Sequence, residues 1–143
     1  MSQLPYGVDE YQRANLEEVR YKSPLNFVKT DFSYADINRP KLSFILPPNA
    51  IFINEVWIIV YVPLSHTYLD FGSSEDIIVS RAPVTVKGID VRAVRQTAID
   101  LGITNESQEM YIRLSPETGY TPATEGRGSI VVQWLNLSLL RSN

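Results

Sequence analysis

The sequence predicts a mostly β protein built around one core. Its 143 residues are 44% hydrophobic, 20% charged and 10% aromatic, which is enough apolar material for a single domain and too much for a disordered chain. About seven short β-rich runs are separated by Pro and Gly turn signals, and helical spacing is confined to two short segments. We therefore predict an antiparallel β-sandwich of jelly-roll type with an extended N-terminal arm and one or two short helices.

The composition also argues against several classes of function. A net charge of −3 does not favour a nucleic-acid partner, and the absence of cysteine excludes disulfides and thiolate metal sites. Only one histidine is present, so we expect no metal and no cofactor, and we expect that the protein is not an enzyme. No apolar run reaches the roughly 18 residues of a membrane span, and no signal peptide is recognisable. We expect synthesis in the cytoplasm and no membrane partner.

Residues 1–40 are predicted to form an arm, and residues 41–143 the sandwich. The arm mixes charges of both signs with six aromatic residues, which is too aromatic for a solvated tail. Apolar residues from Val8 to Val19 recur at helical spacing, so a short helix capped by Asp9 is expected before Pro24. We expect the arm to lie on a neighbouring subunit, with its partner-binding residues being Tyr6, Tyr11, Leu16, Tyr21 and Phe27.

The strongest strand signal lies between Lys41 and Val62. Two β-rich runs flank the turn Pro47-Pro48-Asn49-Ala50, and the second run is apolar on both faces. Its two faces carry Val56, Ile58, Val60 and Val62 on one side, and Trp57, Ile59 and Tyr61 on the other. A lone sandwich covers only one of them, so we predict that Trp57, Ile59 and Tyr61 form an oligomer contact. Burial is favoured for both Trp57 and Trp134.

The rest of the chain is predicted as shorter elements. Strands are expected at 66–71, 77–79, 84–87 and 110–114, and a long Thr, Pro and Gly loop at 115–128. The spacing of Val91, Val94, Ala98 and Leu101 predicts a short helix that ends at Gly102. The last strand, predicted at 129–140, carries no charge, and its apolar side chains change from even to odd positions after Trp134, which predicts a bulge near that residue.

Three groups of polar residues are candidates for chemistry. His66 has Ser65 and Asp70 near it in sequence, but no nucleophile motif accompanies it, and an exposed or hydrogen-bonded histidine is favoured. Asp70, Glu75 and Asp76 could supply calcium ligands, although a solvated turn is favoured because the spacing is not that of a calcium loop. Arg92 and Arg95, with Arg81 or Lys87, could meet an acidic partner surface, although ordinary solvation is favoured.

Several segments between residues 41 and 137 resemble small jelly-roll proteins of tailed bacteriophage virions. The resemblance rests on ILPPNAIFINEVWIIV at 45–60, YLDFG at 68–72, DLG at 100–102 and TEGRGSIVVQW at 124–134. It implies a capsid decoration or cement protein on the surface of the virion, a homotrimer that binds the major capsid protein and bridges its subunits. The 80–100 segment is longer than in compact members of the group.

Two alternatives remain open from the sequence. One is another virion component with the same domain, such as a fibre base, a tail part or a head-to-tail part. The other is a carbohydrate-binding jelly roll, in which exposed aromatic side chains would stack on sugar rings. A concave groove with an aromatic platform would favour sugar, whereas flat apolar strands and an arm that reaches away from the domain would favour assembly.

Overall fold

The computed structural model describes residues 24–74, 77–95 and 106–140, and these form eight strands. A 3-10 turn, Tyr34–Asp36, follows the first strand, and a short helix, α1, covers Leu137–Leu140. The strands are β1 Leu25–Ser33, β2 Lys41–Leu46, β3 Ala50–Val62, β4 Thr67–Gly72, β5 Ile78–Pro83, β6 Gly88–Ala93, β7 Gln108–Pro116 and β8 Arg127–Asn136.

The strands form two four-stranded antiparallel sheets. The first sheet has the order β1-β8-β3-β6, and the second has the order β2-β7-β4-β5. Because the chain passes repeatedly from one sheet to the other, neighbouring strands within a sheet are mostly distant in sequence. This order is that of a jelly roll, so the predicted fold class is confirmed.

The core lies between the sheets and is filled from alternate positions of the strands. On β3, Val56, Ile58 and Val60 are all buried, as the period of a strand requires for one inward face. Four aromatic rings join the two sheets: the Phe44 ring stacks between Phe71 at 6.0 Å and Trp134 at 6.4 Å, and Phe52 meets Phe71 edge-on at 5.8 Å. Trp134 thus packs against the core, as expected.

Strand β1 belongs to the sandwich, although the sequence places it in the arm. It pairs with β8 over all nine of its residues, and its Phe32 ring is buried in the core. Ser33 and Asp36 then form a capping box that starts the 3-10 turn. Residues 25–40 are therefore part of the sandwich. The helix predicted near the N-terminus and the anchors Tyr6, Tyr11, Leu16 and Tyr21 lie outside the described residues, so an arm over 1–23 stays a prediction.

Strand β6 corrects the prediction of a helix from residue 90. Trp57 lies opposite Val91 and Ile59 opposite Ile89, so pairing with β3 replaces the helical spacing seen in the sequence. The later part of the predicted helix, 96–101, lies outside the described residues. The strand predicted at 84–87 is instead a connection in which Val84 is buried and its amide donates to the Thr67 carbonyl at 3.0 Å.

The predicted bulge lies on the neighbouring strand. β8 pairs with β1 without interruption, and its inward set continues from Ile130 and Val132 to Trp134. The irregularity falls between Phe52 and Val56 of β3, which lie opposite Trp134 and Val132. β8 also ends at Asn136, before α1, and not at 140. No helix within the described ranges is long and apolar enough to cross a membrane.

Candidate interaction surfaces

The outer face of the first sheet is apolar over β8, β3 and β6 in the row of Trp57, and Lys29 of β1 ends that row. Trp57 lies between Val131 of β8 and Val91 of β6, and directly opposed residues of a sheet share a face. The next row places Ile59 beside Ile89. We name this surface the apolar face; its large side chains that remain substantially exposed are Leu25, Phe27, Trp57, Tyr61, Ile89 and Val91.

These side chains are well exposed, both on the interior strand β3 and on the edge strands β1 and β6. Trp57 is 38% exposed and Val91 48%, while Ile89 and Phe27 reach 72% and 71%. The structure therefore puts Trp57, Ile59 and Tyr61 on one face, as the alternation predicts, and adds β6 and β1 to it. Trp57 is not buried in the protomer, contrary to the expectation for that tryptophan. Phe27 stands on this face and not in an arm.

Charged groups mark one end of the apolar face. The Ser129 hydroxyl is buried and donates to Asp31 Oδ1 at 2.6 Å, while Lys29 Nζ lies 3.8 Å from the same oxygen. The serine hydrogen bond, helped by Lys29 and Lys41, holds the pKa of Asp31 below its usual value of 3.8. Arg127 covers the Tyr61 ring at 5.2 Å. Polar groups of this kind commonly surround an apolar contact area.

The outer face of the second sheet has the opposite character. Asp70 of β4 lies directly between Arg81 of β5 and Arg113 of β7, a set that we name the arginine row. Each guanidinium covers a tyrosine ring: Arg81 lies 5.1 Å from the ring centre of Tyr68, and Arg113 lies 5.3 Å from that of Tyr111. The centres of the two outer faces thus differ in chemistry, the first being apolar around Trp57 and the second charged around Asp70.

A cavity of about 390 Å³ lies over the arginine row. Its wall includes Arg39 and Asn38, which precede β2, together with all three members of the row. Burial raises the pKa of Asp70, although Arg81, Arg95 and Arg113 act in the opposite direction. Among the described residues that line this arginine pocket, Arg39, Arg81 and Arg113 outnumber the one carboxylate, in a chain whose net charge is negative.

The contacts of His66 are with the loop around Glu117 and Tyr120, and they indicate a structural role for this histidine. It adopts the left-handed backbone conformation with φ of 49°, stacks on Tyr120 at 3.7 Å and lies 3.4 Å from Glu117. Its carbonyl also accepts the Glu117 amide at 2.6 Å. Asp70 pairs instead with Arg81, so the structure does not bring His66 and Asp70 together as catalytic partners.

The structure describes only some of the other polar candidates. Glu75 and Asp76, two of the three calcium candidates, lie outside the described residues, and within the described part of the chain no three His, Asp or Glu residues group closely enough for a metal ion. Arg92 lies on β6 and pairs with Asp90 at 2.9 Å, while the Arg95 amide donates to the Val79 carbonyl at 3.0 Å. They occupy a strand and its end and not one helix face, but together with Arg81 they line one surface pocket, so the structure does bring the predicted basic residues together.

Two parts of these surfaces were missed from the sequence. The contribution of Ile89 and Val91 could have been found from their alternation with Asp90 and Arg92, which is a strand pattern as well as a helical one. Arg113 carried no sequence signal, because only the pairing of β4 with β7 places it beside Asp70.

Comparisons with known proteins agree on the architecture. No family model matches the chain, and no curated protein matches it. Among solved structures, the chain is similar to one in the acidic stable capsid structure of Helicobacter pylori bacteriophage KHP30, with a TM-score of 0.57 and 13% identity over 79% of this chain and 88% of that one. It is also similar to a chain of the cyanophage Pam1 capsid asymmetric unit, with a TM-score of 0.57 and 10% identity over 78% and 84%. The chain therefore shares its fold with chains of phage capsid structures, as the resemblance in sequence predicts.

Proposed function

We propose that the chain is a structural protein of a phage virion, specifically a decoration or cement protein of the head. In this role it forms a homotrimer, binds the outside of the shell and bridges neighbouring major capsid subunits. Its contribution is mechanical and requires no cofactor. The observation that carries the proposal is the apolar face, and the fold shared with chains of phage capsid structures supplies the setting.

The apolar face supports self-association for a thermodynamic reason. Each exposed aliphatic or aromatic side chain gains free energy when water is removed from it, and here six such side chains lie on one sheet face. Trp57 and Tyr61 are of the residue types enriched at the energetic centres of interfaces. We assign Trp57, Ile59 and Tyr61 to the contact between copies, with Ile89 and Val91 extending it.

We assign the N-terminal segment to the contact with the shell. Tyr6, Tyr11, Leu16 and Tyr21 provide apolar anchors ahead of β1. In this proposal they lie on the major capsid protein while the sandwich stands above it. Phe27, whose side chain lies on the apolar face, contributes to the trimer instead.

The test uses phage heads assembled with and without the protein. A cement protein binds only the assembled lattice, so it shifts the equilibrium away from disassembly, and heads that carry it should rupture at a higher temperature. The mass of the purified protein in solution should be that of a trimer. Equal rupture temperatures would remove the cement role, and localisation on a tail or fibre by electron microscopy would favour the other virion roles.

A further inference from the structure

We propose that the arginine pocket is a binding site for an acidic peptide segment, whose side-chain carboxylate lies against Arg81 and Arg113. The proposal rests on the proposed function only for the source of that segment, a neighbouring subunit of the shell. The pocket faces away from the apolar face, because the two surfaces are the outer faces of opposite sheets. A protomer held in a trimer through one sheet thus keeps the pocket available on the other.

The charge balance of the pocket favours an anion. Arg39, Arg81 and Arg113 line it, and among the described lining residues Asp70 is the one acidic residue, so these residues keep a positive excess beyond the Arg81–Asp70 pair at 3.4 Å. Guanidinium groups bind carboxylates through paired, charge-assisted hydrogen bonds. Because Arg81 and Arg113 already lie over tyrosine rings, less side-chain freedom is lost when an anion binds.

One buried donor in the row lacks a hydrogen-bond partner, and it favours an anion. Arg113 Nε is a donor without an acceptor, whereas Asp70 Oδ1 already lies 3.4 Å from Arg81 Nε. Buried polar atoms in proteins are nearly always paired, so the Arg113 side chain indicates a missing acceptor. The carboxylate of an acidic side chain supplies that acceptor.

The shape of the pocket argues against a nucleic-acid strand. A polynucleotide needs positive charge spread along its backbone, whereas here the charge surrounds one cavity and includes a carboxylate in the wall. The net charge of −3 would also oppose a long polyanion. A short acidic segment needs positive charge only at the cavity and not along the rest of the surface.

The experiment measures binding of a fluorescein-labelled hexapeptide with two adjacent glutamates to the full chain by fluorescence anisotropy at low salt. Arg81→Gln and Arg113→Gln should each weaken binding about tenfold. Asp70→Asn should strengthen it, since the amide oxygen still accepts a hydrogen bond while the negative charge is removed. Lys87→Gln, the same loss of charge at an exposed residue outside the pocket, is the matched control and should leave binding unchanged. Circular dichroism melts establish that each variant is folded.

Several outcomes would overturn the proposal. The glutamine counterpart of the peptide must bind much more weakly, and equal binding would remove the role of the carboxylate. An equal loss of affinity in Lys87→Gln would reduce the effect to general charge attraction. Stronger binding of inorganic phosphate or of an oligothymidine strand than of the peptide would assign the pocket to phosphate chemistry. Because this assay uses no phage heads, its failure is distinguishable from failure of the cement role, which rests on rupture temperature.

Discussion

Val91→Lys is the substitution that best separates association from folding. Val91 lies on β6, an edge strand of the first sheet, and is 48% exposed. Lysine is well tolerated on the exposed side of an edge strand, so the sandwich itself should remain folded. In a trimer built on the apolar face, however, the new ammonium group would be buried beside Trp57.

The expected magnitude follows from the exposure of Val91. Fully burying a valine side chain stabilises by about 2 kcal/mol, so covering the remaining 48% contributes about 1 kcal/mol that the variant loses. Burying an unpaired ammonium adds a penalty of a few kcal/mol. A total of about 3 kcal/mol weakens association by about two orders of magnitude for each copy in the trimer.

Sedimentation equilibrium of the wild type and the variant at micromolar concentration measures the effect. Leu42→Lys is a close control, because Leu42 is 46% exposed and lies on β2, an edge strand of the second sheet. Val91→Lys should dissociate to monomers with an unchanged melt, while Leu42→Lys should keep the wild-type mass. Dissociation of the Leu42 variant alone, or a monomeric wild type, would refute the assignment of the apolar face.

Three further predictions concern the arm, the core and pH. Deleting residues 1–23, which leaves Pro24 and its hydrogen bond to Asn136, should preserve the circular dichroism spectrum and weaken binding to phage heads by about three orders of magnitude; an unfolded product would place the segment in the core. Gly128→Ala should lower the free energy of unfolding by about 3 kcal/mol in urea titrations, because a Cβ there would lie 2.6 Å from the Phe32 ring; an unchanged midpoint would contradict this packing. Ser129→Ala should lose stability at neutral pH. The lowered pKa of Asp31 stabilises the fold above about pH 3.8 and the benefit is lost as the pH falls further, so the difference between wild type and variant in melts should shrink there; a constant difference would contradict the assignment.

The parts of the fold that were predictable carry local signals. The turn between β2 and β3 contains two prolines followed by Asn49, which adopts the left-handed conformation with φ of 60° that asparagine tolerates. The strands beside it are rich in β-branched and aromatic residues, so their extended form agrees with their own propensity. The same agreement made the last strand recognisable.

The parts that were missed depend on partners distant in sequence. β1 mixes apolar, polar and charged residues without a strict alternation, and its membership of the sheet follows from pairing with β8, about 100 residues later. The helical spacing after Asp90 is overridden because β3 offers β6 an apolar edge. The arginine row requires three strands in register, and a single sequence contains no information on that register.

Strand β3 carries a core face and an exposed apolar face on the same stretch of chain. Val56 and Ile58 face the core and are fully buried, while Trp57 on the same strand faces outward. Since neighbouring residues of a strand point to opposite faces, we expect substitutions at even positions from 56 to 60 to act on folding, and those at odd positions from 57 to 61 to act on the proposed association. A strand that is apolar on both faces is unfavourable in a monomer, because its outer face promotes aggregation. In a trimer that covers this face, the same sequence stabilises the protomer and the assembly together, and the charged outer face of the second sheet is left for recognition of another subunit.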